Sequence, residues 1–215
     1  MIFRDRADAA EQLAKRLRGY ADRSDTIILA VPRGGVVLGA VLAERLHLKL
    51  DVILVKKISH PSQPEFAIGA VSGKGVAVDE ELLERGEVSK EYVASETARL
   101  RNLLRRRSAA FYGKRKPLPL RNKLVIITDD GIATGRTLLA TIRIVRQQKP
   151  KRIVLAVPVA APQAAEMLAR EADETVFLMT PAAFDGISRF YGRFEQVEDE
   201  EAIRLFREAR RTAGH

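Results

Sequence analysis

The sequence predicts an α/β protein built on a doubly wound, mostly parallel β-sheet. Two observations carry that prediction. Short β-branched apolar runs alternate with segments of helical periodicity along most of the 215 residues. Two of those runs, "TIILAVP" and "LVIIT", stop at a glycine-containing turn that leads straight into a helical pattern. That order is expected of βαβ units with right-handed crossovers, whose sheets bind ligands outside the carboxyl ends of their strands.

The elements follow in order. From Asp5 to about Leu17, Ala10, Leu13, Ala14 and Leu17 fall on one face of an amphipathic helix. Thr26–Pro32 reads as a buried strand, and a helix runs on through Val37, Ala40, Val41 and Glu44. "LDVILVKKI" (Leu50–Ile58) is expected as one further strand. "SHPSQPE" (Ser59–Glu65) is expected as a proline-punctuated loop. "FAIGAV" and "GVAVD" flank "SGKG" as a hairpin with Lys74 at its tip. A long Arg-rich helix occupies Ser89 to about Tyr112, with Leu100, Leu103 and Leu104 packing inward. Leu124–Thr128 is a central strand, and Leu138, Ile142 and Val145 align on the helix that Pro150 ends. Arg152–Ala160 is a strand, Pro162 opens a helix, Thr175–Met179 is a strand, and "DEEAIRLFREARR" closes the chain as a helix with acidic residues at its start.

Composition excludes several classes. There is no cysteine, so disulfides and thiolate chemistry are ruled out, and three scattered histidines do not make a zinc site. No run of about 18 apolar residues suits a membrane span. With no apolar leader at the N-terminus, these features fit a cytoplasmic protein. The net charge of +9 is regional: ten Lys or Arg and no Asp or Glu lie between Arg99 and Lys123. That segment is most simply a solvated face. A nucleic-acid surface there is disfavoured because only Phe111 and Tyr112 supply aromatics.

The chemistry concentrates in "LVIITDDGIATGRTLLATI" (Leu124–Ile142). Asp129 and Asp130 repel one another and lose solvation at a strand end, so stability alone does not favour them. They become useful as acceptors for vicinal hydroxyls or as neighbours of a divalent cation. Gly131–Thr137 then turns into a helix N-terminus, where free N–H groups and the helix dipole attract phosphate. Thr134 and Thr137 add hydroxyls. Diol acceptors beside a phosphate nest together describe a ribose 5-phosphate, although a helix-capping Asp-Asp-Gly turn is the plainer alternative. The spacing is not that of a Walker A loop.

"VIITDDGIATGRTL" resembles the signature of type I phosphoribosyltransferases. The resemblance implies that fold for 1–215 as a single domain, with variable segments forming a small hood and lid. Here 59–123 would be the lid hairpin and Arg-rich insertion, and 181–215 the hood and closing helix. It implies that Asp129 and Asp130 bind the ribose hydroxyls of phosphoribosyl pyrophosphate and approach Mg²⁺ through water. Ala133, Thr134, Gly135, Arg136 and Thr137 would bind the 5′-phosphate. A homodimer is implied as well. In 6-oxopurine members a carboxylate stands at the position of Ala133, so an orotate-, adenine- or uracil-type acceptor, or an unusual one, remains open.

"AVPRGGVVLG" (Ala30–Gly39) also joins a strand to a helix, with the wrong glycine spacing for a dinucleotide fingerprint. By the resemblance it is the pyrophosphate loop, with Arg33, Gly34 and Gly35 as contacts and a non-proline cis peptide near Arg33. Lys56 is the next pyrophosphate candidate, Lys57 being its alternating neighbour. His60 and Glu65 fall where the family carries its mobile lid. Phe184, Phe190 and Tyr191 are candidates to cover a base. The activity implied is Mg²⁺-dependent transfer of ribose 5-phosphate to a nitrogenous acceptor. The alternatives are a regulatory protein of the same fold that senses phosphoribosyl pyrophosphate or nucleotides and binds RNA or DNA, and a hydrolase that releases pyrophosphate without an acceptor.

Overall fold

The computed structural model describes residues 2–212, and the side chains of all but 64, 65 and 212. Met1 and 213–215, included in the single-domain expectation, lie outside the described residues, as does the side chain of Glu65.

Helix α1 (Arg6–Arg16) is capped by Asp5, whose carboxylate accepts from the Asp8 N–H. Strand β1 (Thr26–Ala30) and helix α2 (Gly34–Leu46) follow, then β2 (Lys49–Val52). After β2 the chain leaves the main sheet and forms β3 (Val55–His60), β4 (Gln63–Ser72) and β5 (Val76–Val78). Helices α3 (Glu80–Glu84) and α4 (Lys90–Tyr112) lead back to it. The second half runs β6 (Leu124–Thr128), α5 (Arg136–Gln147), β7 (Arg152–Val159), α6 (Pro162–Ala169), β8 (Glu174–Met179) and α7 (Asp199–Thr212).

The main sheet is five-stranded and parallel in the order β2-β1-β6-β7-β8. β1 and β6 are buried on every residue because both faces are covered. Ile28, Ile126 and Val154 pack with Leu13, Val36 and Phe206 from α1, α2 and α7. Val125, Ile127, Ile153 and Leu155 pack on the other side with Leu138, Ile142 and Leu168 from α5 and α6. From β1 the chain winds outward to β2, and from β6 it winds the other way to β8. The β1/β6 boundary is therefore the topological switch point, where ligands of such sheets bind.

Three expectations are corrected. Leu50–Ile58 is not one strand: it divides at Ile53 and Leu54, and β3 joins the separate antiparallel sheet β3-β4-β5. The segment Ser59–Glu65 is not a loop but the tip of the β3–β4 hairpin, where His60 pairs with Gln63. The "SGKG" hairpin joins β4 and β5, with Ser72 Oγ accepting from the N–H groups of Lys74 and Gly75. Leu100 and Leu104 are buried on α4, whereas Leu103 is 45% exposed among the arginines. Buried Asp51 docks α4 onto β2: it accepts from the Tyr112 hydroxyl at 2.7 Å and the N–H groups of Leu118 and Val52 at 2.6 and 3.0 Å. Burial pushes that carboxyl up, and these hydrogen bonds oppose the push.

Candidate active site

Two loops meet at the switch point. One leaves β1 through Pro32, Arg33, Gly34 and Gly35; the other leaves β6 through Asp129 and Asp130. The Val31 N–H donates to the Thr128 carbonyl at 3.0 Å and holds them together. The Pro32–Arg33 peptide is cis, at the position where the family resemblance places one.

Glycine is required at both 34 and 35 by close approach. A Cβ on Gly34 would overlap the Asp130 carboxylate, and one on Gly35 would stand 2.9 Å from the Thr128 carbonyl oxygen and 3.0 Å from Asp129 Cα. The acidic pair thus packs directly on the glycine loop. Asp129 Oδ1 accepts from the Asp130 N–H at 2.9 Å, and the Gly35 amide also stabilises its ionised form. Burial, and then the charge of Asp130, still push the Asp129 carboxyl well above the ordinary carboxylate range.

Asp130 is answered by Arg6, which sequence reasoning missed, and its backbone carbonyl by Tyr191, which was a candidate to cover a base. Arg6, the first residue of α1, donates from Nε to Asp130 Oδ2 at 2.8 Å. Its Nη1 donates to the Glu195 carbonyl at 2.8 Å, and its guanidinium lies 3.8 Å from the Phe194 ring centroid. Tyr191 donates its hydroxyl to the Asp130 carbonyl at 2.6 Å and packs on Phe3 and Phe194. Burial and the Asp130 charge push the Tyr191 phenol up, so it remains a donor. Tyr191 therefore buttresses the acidic loop. Phe184 and Phe190 stack on each other at 5.5 Å and are half-buried. No local signal marks Arg6, which lies 124 residues from its partner.

The turn after the acids is open. Ala133, Thr134, Arg136 and Thr137 are exposed. Gly135 caps α5 with φ +71°, a left-handed conformation that favours glycine. The first α5 hydrogen bond at this end runs from the Leu139 N–H to the Gly135 carbonyl. The N–H groups of Arg136, Thr137 and Leu138, which precede that bond, belong to the helix's free first turn. Arg136 lies 5.9 Å from the Phe66 ring, which in turn lies 6.0 Å from His60, so the β3–β4 hairpin overhangs this turn. Phe66 is a second residue not singled out from the sequence.

The remaining candidates make contacts elsewhere. Arg33 pairs with Glu198 at 3.3 Å in an exposed contact. Lys56 is half-buried inside β3 opposite Val71, and among the described residues no hydrogen bond or ion pair joins it to either loop. His60 accepts from the Ser62 N–H within its own hairpin. On α4, Arg99 pairs with Glu96 and Arg107 with Asp199, while Arg101, Arg105 and Arg106 are exposed. No group of three or more His, Asp or Glu among the described residues could cage a metal. The adjacent carboxylates of Asp129 and Asp130 do fit Mg²⁺, which takes one or two carboxylates and completes its shell with water and substrate phosphate. Among the described residues no helix is long and apolar enough to cross a membrane.

Known proteins resemble this chain over most of its length. Two Mycobacterium tuberculosis proteins, from strains CDC 1551 and H37Rv, are each 36% identical over 212 residues and are provisionally named phosphoribosyl transferases. The alignment covers 98% of this chain, and the chain spans about half (47%) of each relative's length. The crystal structure of TT1426 from Thermus thermophilus superposes with a TM-score of 0.87 at 37% identity, covering 97% of this chain and 99% of that one. The family model for the phosphoribosyl transferase domain matches residues 2–179, a span that holds both loops, and the chain belongs to that family.

Proposed function

We propose that the protein transfers ribose 5-phosphate from phosphoribosyl pyrophosphate to a nitrogenous, nucleobase-like acceptor. The observation that carries this reading is the contact of the acidic pair with the glycine loop at the β1/β6 switch point, beside an open helix N-terminus. Asp129 and Asp130 accept the ribose hydroxyls. The free N–H groups of α5 and the hydroxyls of Thr134 and Thr137 take the 5′-phosphate, with Ala133, Gly135 and Arg136 shaping the turn. The N–H groups of Gly34 and Gly35 and the Arg33 guanidinium receive the diphosphate, and Lys56 is the further cation on that side.

In the reaction the bond from C1 to the diphosphate oxygen breaks, the electron pair leaves with pyrophosphate, and C1 bonds to the acceptor nitrogen. The carboxylates stabilise positive charge as it grows at C1, and the two anion sites fix the geometry. Mg²⁺ bound through water at Asp129 and Asp130 would supply charge neutralisation of the departing diphosphate. Ala133 disfavours 6-oxopurine acceptors. We further propose a cytoplasmic homodimer, which sedimentation tests.

A second reading is favoured by the exposed cations Arg101, Arg105, Arg106, Lys114, Arg115 and Lys116. In it the protein senses the same sugar and binds RNA or DNA. A pyrophosphate-release assay with phosphoribosyl pyrophosphate, Mg²⁺ and a panel of bases decides between them. Release that depends on one base supports transfer, and release without any base indicates hydrolysis. No release, together with nucleic-acid affinity that falls steeply with salt, supports the regulator.

A further inference from the structure

We infer that Arg6 is a diphosphate-binding residue, an inference that rests on the transferase reading above. Its guanidinium stands between the two loops that would hold opposite parts of the substrate. Nε is 2.8 Å from Asp130 Oδ2 on the ribose side. On the other side, Nε is 3.1 Å from where a Cβ on Gly34 would stand, so the group adjoins the diphosphate loop as well.

The residue is built for this position rather than draped over it. Its side chain is 11% exposed, and that of Asp130 15%. The face of the guanidinium lies against Phe194, and Nη1 is anchored on the Glu195 carbonyl. Stacking and the backbone anchor pre-organise the cation, so little freedom is lost when it takes an anion. A guanidinium carries five N–H donors. Two are committed to Asp130 and Glu195, which leaves three for substrate oxygens.

The charge pattern of the substrate explains why a cation belongs here. The ribose hydroxyls bring the diphosphate close to Asp130, and like charges at that range in a partly buried site repel strongly. Arg6 stands between them. It ties Asp130 through one edge and offers the other edge to the diphosphate in a charge-assisted contact.

The test measures the affinity of two probes by calorimetry with Mg²⁺ present: inorganic pyrophosphate and ribose 5-phosphate. Arg6→Gln should weaken pyrophosphate by about tenfold to a hundredfold, the loss expected for a charged hydrogen bond, and change ribose 5-phosphate less than about threefold. Arg6→Lys keeps the charge without the fork and should recover part of the pyrophosphate affinity; it also serves as the measurement if Arg6→Gln does not fold. A merely structural pin for Asp130 would give the opposite split, with ribose 5-phosphate weakened and pyrophosphate held, and that result overturns the inference. Unchanged affinity for both probes in the variants overturns it and leaves the transferase reading intact. Wild-type protein that binds neither probe overturns both.

Discussion

The two loop regions of the crevice are built on opposite terms. Where Gly34 and Gly35 meet Asp129 and Asp130, the chain is packed to contact and two of its charges already have partners, Asp130 in Arg6 and Arg33 in Glu198. In the nearby turn Ala133–Thr137, side chains are exposed and the N–H groups of the helix's first turn are free. On the transferase reading the turn can receive the 5′-phosphate as it stands. On the transferase reading, Arg6 keeps Asp130 while Arg33 must exchange Glu198 for the diphosphate. The difference teaches that, on that reading, one region is open to its anion from the start, while the other ties binding to a rearrangement of charge at Arg33.

The largest test of that contrast removes the acids. Asp129→Asn with Asp130→Asn should lower kcat/KM by about 10²–10⁴-fold, the loss of two charged hydrogen bonds to the sugar. Inorganic phosphate should still bind the turn. Activity within about tenfold of wild type would show that the pair does not grip the ribose.

The glycines sharpen the comparison, because each region needs glycine for a different reason. In Gly35→Ala the new Cβ meets the backbone at Thr128 and Asp129, which cannot swing aside. A cost of about 1–3 kcal/mol in stability is expected, as for other overpacked sites. In Gly135→Ala the neighbours are the ends of Met167 and Leu168 and the methyl of Ala164. There the penalty of about 1–2 kcal/mol comes from φ +71°. Asn tolerates that conformation better than Ala, so Gly135→Asn should recover part of the loss, while Gly35→Asn should not. Denaturant unfolding of the four variants gives the answer; recovery at both positions would mean that contact is not what limits Gly35.

The same contrast sets what was legible in the sequence. β1, β6 and the Asp129–Thr137 loop were readable because strand, turn and helix signals are contiguous. Leu50–Ile58 was misread because the apolar run continues through the point where the chain changes sheets, so periodicity carries no mark of the break. The proline-punctuated pattern of Ser59–Glu65 suggested a loop, yet the segment forms the tip of a hairpin. Leu103 lies one position from the buried stripe of α4, too fine a difference for helical periodicity in a leucine pair. Arg6, Phe66 and Phe194 reach the site only through tertiary packing, and nothing local distinguishes them from other surface-helix, hairpin or tail residues.

Asp129 alone gives a test by pH. Burial, and then Asp130, hold its proton to a higher pH in the folded state than in the unfolded chain. The unfolded carboxyl ionises near pH 4, so folded stability falls as pH rises from about there through the raised folded value. Asp129→Asn removes that titration. Its melting temperature should exceed that of wild type at about pH 7, and the gain should shrink toward about pH 4. A variant equally stabilised at both pH values would show that the junction is not strained by an ionised, buried acid.

The smallest effect is expected at the rim. The Arg33–Glu198 pair has side chains 36% and 59% exposed and a separation of 3.3 Å. Surface pairs of this kind contribute about 0.2–1 kcal/mol. If Glu198 occupies the Arg33 donor that the diphosphate would take, Glu198→Gln should tighten inorganic pyrophosphate by up to about fivefold at low salt. The gain should fade as ionic strength rises, because salt screens exposed pairs first. Arg6 and Asp130 are far less exposed, so the loss caused by Arg6→Gln should persist under the same salt. Titrating both variants across one salt series therefore separates the exposed bolt from the buried one. A salt-insensitive Glu198→Gln gain, or a salt-erased Arg6→Gln loss, would reverse the assignment of which contact is built into the crevice.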